Sequence, residues 1–132
     1  MSESPNEKNP VNSQEVVNIF YGKTWIWKKG GAYWGEGGAF EAIYNEAVGV
    51  GKWYVTTSGT LCYEATWKKE AEEAGKFVKR CWEHVRDKDG VMWRNSVEKN
   101  FRFYKAASEN AEFLSGNHIR SEVLKIRAKA GL

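Results

Sequence analysis

The sequence has little histidine and cysteine, and these shortages argue against a metal-binding site and against a catalytic nucleophile. Among its 132 residues there are two His and two Cys. The cysteines have no C-x-x-C spacing, and no histidine cluster accompanies them, so there is no metal-binding signature. No serine or cysteine nucleophile is paired with a base. We therefore expect no metal, no cofactor and no catalytic residues.

The sequence also lacks a large excess of charge of one sign and a long apolar run. The net charge is +3, and basic and acidic residues alternate along most of the chain. This balance does not indicate the clustered basic surface that is typical of proteins that bind nucleic acid. No apolar run approaches the roughly 20 residues that span a bilayer, so we expect no membrane insertion. Residues 1–14 also lack the features of a signal peptide. Either the protein is cytoplasmic, or it is exported and its signal has been removed.

Apolar and aromatic residues are plentiful. They make up 42% and 14% of the chain, with seven tryptophans, which is enough for the core of one domain. Both prolines lie in a polar stretch, so residues 1–13 are predicted to be a mobile leader and 14–132 a single β-barrel domain.

The stretch 51–97 determines the predicted fold, because it reads as four consecutive antiparallel strands. Ser58-Gly59 suits a two-residue hairpin turn, and residues 87–90 supply a second turn. A short helix is predicted over 13–21 and another from Ser121 onward, with one or two helical turns in 68–75. A last strand is predicted in the segment FRFYKAA, with Phe101 and Phe103 on one face. About eight short strands predict a mainly β fold, an antiparallel up-and-down barrel.

The two cysteines set the register of one hairpin. Opposed residues in a hairpin have numbers that add to a constant, so pairing Cys62 with Cys81 also places Glu64 opposite Lys79. This coincidence favours a disulfide, and two buried thiols are the alternative.

The preceding turn then assigns side chains to faces. A turn centred on Ser58-Gly59 places Trp53 beside Glu64, on the cysteine face. We expect that face to form the core. The other face is more basic and is predicted to be exposed to solvent, as the wet face of the sheet. Trp53 is expected to be buried, and Trp82 is expected to lie on the other face of the sheet from Trp53. The predicted core face contains Trp53, Val55, Cys62, Phe77, Cys81 and Val85, with Glu64, Lys79 and Glu83, whereas the predicted wet face contains Lys52, Tyr54, Thr56, Tyr63, Arg80, His84 and Arg86.

Several short motifs resemble a bacterial family, domain of unknown function 995. They are GKTWIW (22–27), GGAFEA (37–42), GKWYV (51–55), TLCYEATW (60–67) and KRCWEH (79–84). The resemblance implies a small exported protein of alphaproteobacteria and no assigned activity. Gly-x-Trp before a strand is also similar to the calycin and lipocalin pattern.

Three functions follow from these features. The first is a non-enzymatic, exported small barrel that binds a small apolar or amphipathic ligand. The alternative is a cell-envelope or stress-related interaction protein, which would use Tyr54, Tyr63, Arg80 and Trp82 as an exposed patch. An enzyme using Glu64, Glu83 and His84 ranks last, because adjacent strand residues face opposite sides. Predicted partners are accordingly a small molecule or an envelope protein, in the periplasm or outside the cell. The predicted ligand-binding residues are Trp53, Glu64, Lys79, Glu83 and Phe103.

Overall fold

The computed structural model describes residues 7–97, 103–106 and 113–132. Within these ranges, ten strands form one antiparallel sheet, accompanied by two α-helices. The strands are β1 (Asn9–Pro10), β2 (Lys23–Trp27), β3 (Gly30–Trp34), β4 (Ala39–Tyr44), β5 (Ala47–Val55), β6 (Leu61–Lys68), β7 (Lys76–Arg86), β8 (Met92–Ser96), β9 (Tyr104–Lys105) and β10 (Phe113–Ser115). The helices are α1 (Ser13–Phe20) and α2 (Arg120–Ala130).

The sheet runs up and down from β2 to β9, and β10 returns to pair with β2. It curls into a half-barrel. Short loops permit this order: between β4 and β5, Asn45 and Glu46 both have positive φ (48° and 73°), which matches the twist of a two-residue hairpin. The predicted mainly β antiparallel fold with helices near both ends is confirmed.

The N-terminal segment joins the fold earlier than expected. Asn9 and Pro10 pair with β7, and Val11 is 2% exposed. Of the predicted leader, residues 1–6 lie outside the described residues. The helix that follows is confirmed, since the side chain of Asn12 caps it by accepting from the Glu15 amide at 2.9 Å.

The register predicted for β6 and β7 is confirmed. Cys62 lies opposite Cys81, and Glu64 lies opposite Lys79. Sulfur atoms of the two cysteines form a disulfide.

The register predicted for β5 and β6 is wrong by one residue. Trp53 pairs with Tyr63, not Glu64. Between the strand ends Val55 and Leu61 the turn has five residues, 56–60, and it is closed by hydrogen bonds from the Thr56 amide to the Thr60 carbonyl and from the Thr60 amide to the Thr56 hydroxyl. An odd loop shifts the register by one, which moves each side chain of β5 to the other face.

The face assignment is therefore reversed for β6 and β7. Their inner face, defined as the one they share with Trp53, carries Tyr63 and Trp82, and both Trp53 and Trp82 contact Trp34. The predicted wet-face residues Tyr63 and His84 are buried. Cys62, Cys81, Glu64 and Lys79 lie on the outer face.

Helix α2 covers part of the outer face. Val123 packs with Ile43, Val48 and Ile119, which gives a second, smaller core. Residues 68–75 contain a turn and bends in place of the predicted helical turns. Of the predicted last strand, Tyr104 and Lys105 are in β9, whereas Phe101 and Arg102 lie outside the described residues.

Candidate functional site: an aromatic cavity on the inner face

The inner face is filled by aromatic rings at one end. Phe20 of α1 contacts Trp34 edge to face, with 5.2 Å between ring centroids, and Phe113 of β10 at 5.0 Å. Trp34 also contacts Phe40 at 5.0 Å. Edge-to-face packing of this kind is favourable for aromatic rings. At this end the sheet therefore encloses a solid core.

Beyond this core, the inner face contains a cavity of about 510 Å³. Tyr63 separates the two regions, since it stacks on buried Phe40 with 4.3 Å between ring centroids and 9° between ring planes. Val78, Arg80 and Ser96 line the cavity. Its remaining lining is aromatic: Trp27, Tyr44, Tyr63, Trp67, Trp82 and Tyr104.

One wall of the cavity is built from two nearly parallel indoles. The ring planes of Trp27 and Trp67 differ by 25°, and their centroids are 6.5 Å apart. Gly49 lies opposite Trp67 on β5, and a Cβ at Gly49 would stand 2.6 Å from the indole. The indole therefore rests on the bare backbone of the neighbouring strand, as aromatic side chains do over glycine.

The charges of the sheet are divided between its faces. All three carboxylates in described strands lie on the outer face: Glu41 pairs with Tyr33 and Val50, and Glu64 and Glu83 alternate with the inner residues of their strands. Among the described residues, Arg80 is the single charged one that lines the cavity, and it is half-buried. The site is thus apolar with one cationic group.

A second arginine is buried in the aromatic core. Arg94 is 1% exposed, and its guanidinium carbon lies 4.7 Å from the Trp25 ring centre and 5.5 Å from that of Phe20. Such cation–π contacts stabilise a desolvated guanidinium. Arg94 also donates to His84 at 3.1 Å.

This surrounding lowers the pKa of His84 to about 3. Burial is the main cause and the charge of Arg94 the second, while the backbone carbonyls of Gly59 and Trp82 act in the opposite direction. His84 is on the inner face, whereas Glu64 and Glu83 are on the outer face. The fold therefore does not bring together the acid–base set considered from the sequence.

The predicted ligand-binding residues do not meet at one place. Trp53 is on the inner face, is 7% exposed as predicted, and donates from Nε1 to the Gly35 carbonyl at 2.9 Å. Glu64, Lys79 and Glu83 are on the outer face. There, Glu64 accepts from the Tyr54 hydroxyl at 2.8 Å, which raises the pKa of that phenol. Phe103 lies under the Lys8 ammonium, 5.1 Å from it.

The patch predicted for the surface is split between the two faces. Tyr63, Arg80 and Trp82 line the cavity together, whereas Tyr54 is on the outer face. Sequence reasoning missed Trp27, Tyr44 and Trp67. The available signal was alternation: Trp67 is four residues from Tyr63 on the same strand and so shares its face, and recognising the odd-numbered turn would have made that face the inner one.

The fold and the cavity define a mainly β protein with an aromatic hollow in a curled antiparallel sheet. The chain belongs to the family described as protein of unknown function (DUF995), whose model matches residues 1–118. No curated protein and no solved structure matches the chain significantly. Neither α1 nor α2, the helices of the described ranges, is long and apolar enough to cross a membrane.

Proposed function

We propose that this protein is a non-enzymatic, exported binding module that takes a small amphipathic ligand into the inner-face cavity. The observation that carries the proposal is the cavity itself. Its volume of about 510 Å³ falls in the range of about 300–1,000 Å³ of small-molecule sites, which are mostly apolar with a few polar groups. Six aromatic rings and one guanidinium match that composition.

Export is supported by the disulfide between Cys62 and Cys81. Disulfides persist in oxidising compartments and are rare in the cytosol. We accordingly propose the periplasm or the extracellular space as the place where the protein works.

A second candidate is an interaction protein of the cell envelope. The observation that favours it is Phe77 on the outer face, 65% exposed beside a shallow groove between Lys52 and Glu64. Exposed aromatic side chains commonly anchor protein partners.

Two variants separate these candidates. Tyr44 lines the cavity and Phe77 does not, and both are at least half exposed, so neither Tyr44→Ala nor Phe77→Ala should unfold the protein. Isothermal titration calorimetry with fatty acids, aromatic acids and tetrapyrroles should detect a ligand. Tyr44→Ala should weaken its binding by about tenfold, and Phe77→Ala should leave it unchanged. Equal effects of the two variants, or no binding by any compound, would overturn the proposal.

A further inference from the structure

We infer that the cavity selects small planar aromatic carboxylates, with the carboxylate at Arg80 and the ring against the wall formed by Trp27 and Trp67. This inference rests on the proposed function and deepens it by naming the class of ligand. Its support is the charge of the inner face, the bonding of Arg80 and the shape of the walls.

In the strands that the structure describes, the inner face of the sheet carries cations and no acidic residue. Strand alternation from the observed register places five basic residues on this face, and no Asp or Glu occupies an inner position of a described strand. One of the five, Arg86, is neutralised by Glu15 of α1 at 3.0 Å. Among the described residues, the charge that lines the cavity is therefore the positive one of Arg80, which attracts an anion and repels a cation. The inner basic residues are Lys23, Lys76, Arg80, Arg86 and Arg94.

Arg80 can offer N–H hydrogen-bond donors of its guanidinium to a ligand in the cavity. One of its N–H groups, on Nη1, donates to the Lys79 carbonyl at 3.0 Å. In the described part of the chain, no carboxylate lies within ion-pair distance of it. A guanidinium has five N–H donors in a planar fork that fits a carboxylate, and partial burial strengthens such a bond. The buried hydroxyl of Ser96 lines the same cavity and adds a polar group.

The walls favour a flat ring over a flexible chain. Because the Trp27 and Trp67 planes differ by only 25°, a ring stacked on one indole lies nearly parallel to the other. Two of the lining rings pack against fixed neighbours. Trp67 lies against the backbone of Gly49, and Tyr63 stacks on Phe40. Rigid aromatic walls reward a preorganised planar ligand and give less to a chain that must be ordered on binding.

The test compares matched probes by calorimetry: 1-naphthoate, its neutral amide 1-naphthamide, and decanoate. The inference predicts that 1-naphthoate binds about tenfold more tightly than 1-naphthamide and than decanoate. Arg80→Gln should remove most of the preference over the amide. Lys79→Gln is the matched control, because it removes the same charge from the adjacent residue on the outer face, and it should keep the preference.

The outcomes separate this inference from the proposed function. Equal binding of naphthoate and naphthamide, or a preference that survives Arg80→Gln, would overturn the anion selectivity and leave a ligand-binding cavity. Tighter binding of decanoate than of naphthoate would overturn the aromatic selectivity only. No binding by any of the three probes would overturn this inference, and the proposed function would then depend on the result for the wider panel of compounds.

Discussion

Arg94 donates from Nε to Nε2 of His84 over 3.1 Å in the interior of the half-barrel. This bond requires Nε2 to be the acceptor, so the imidazole is neutral and carries its proton on Nδ1. Protonation of Nε2 would set two donors and two positive charges against each other in a site shielded from water. The pKa of His84 is consequently lowered from 6.5 to about 3.

We predict that His84 makes the protein less stable as the pH falls from about 6.5 to about 3. In this window the unfolded state binds a proton at His84 that the folded state does not, so the free energy of unfolding decreases with falling pH. The slope due to this group approaches about 1.4 kcal/mol per pH unit. Above pH 6.5 both states are neutral there, and stability should not depend on His84 ionisation. Urea unfolding between pH 7 and 4 measures this slope.

His84→Gln isolates the contribution of this histidine from that of carboxylates. The amide oxygen of Gln can still accept from Arg94, but it does not titrate, so the slope between pH 6.5 and 4 should become shallower. His118→Gln changes an exposed histidine and should keep the wild-type slope. Should His84→Gln fail to fold, proton NMR of the wild type can follow the His84 ring directly. A ring that titrates near pH 6.5 would contradict the prediction.

We predict that denatured, unreduced protein contains no free thiol, because Cys62 and Cys81 are joined across β6 and β7. The bond closes a loop with a sequence separation of 19 residues. Reduction, or the double variant Cys62→Ala/Cys81→Ala, should therefore lower the free energy of unfolding by about 2–4 kcal/mol. Thiol titration in denaturant checks the first statement and urea unfolding the second. Two reactive thiols would count against both the pairing and the proposed export.

The strand pairings differ in how well the sequence predicts them. Two cysteines and an opposite-charge pair share one register, so the pairing of β6 and β7 had two independent constraints. The pairing of β5 and β6 depended on one dipeptide, Ser58-Gly59. Hydroxyl groups of Thr56 and Ser58 bond within the turn and stabilise a five-residue loop, which a two-residue turn rule does not consider.

The one-residue shift in the register of β5 and β6 determines which residues form the candidate site. It moved Trp53 from the cystine face to the face of Tyr63, and the part of the predicted wet face that lies on β6 and β7 became the inner one. The aromatic and basic residues Tyr63, Arg80 and Trp82 were correctly grouped from the sequence, since they share one face of a hairpin. Their enclosure depends on the curl of the sheet and on distant strands, which local patterns do not encode.

We predict that Glu64→Gln leaves the fold and the cavity nearly unaffected. Glu64 is on the outer face and its carboxylate accepts from the hydroxyl of Tyr54 at 2.8 Å, in a part-buried position, so the change should alter stability by less than about 1 kcal/mol. The pKa of the Tyr54 phenol should fall, because its hydrogen bond to a negative charge is the main cause of its raised value. A difference ultraviolet titration of wild type and variant measures this shift. A large loss of stability or of ligand binding would place Glu64 in the interior.

The last prediction concerns Gly49, which determines where the Trp67 indole lies. A Cβ at this position would stand 2.6 Å from Cε2 and 2.7 Å from Cδ2 of Trp67, distances that force the ring to move. Gly49 has no positive φ, so the backbone of Gly49→Ala is unstrained and the pairing of β5 with β6 should persist. The displaced indole should change the tryptophan emission and weaken binding of the cavity ligand by about tenfold.

A double-mutant cycle tests whether the effect passes through the ring. In a Trp67→Leu background, the ring that meets the new methyl group is gone, so adding Gly49→Ala should have little further effect on binding. The two substitutions are then strongly non-additive, as expected for residues in contact. Additive effects would show that Gly49 acts on the strand and not on the cavity wall, and the role assigned to its missing side chain would be wrong.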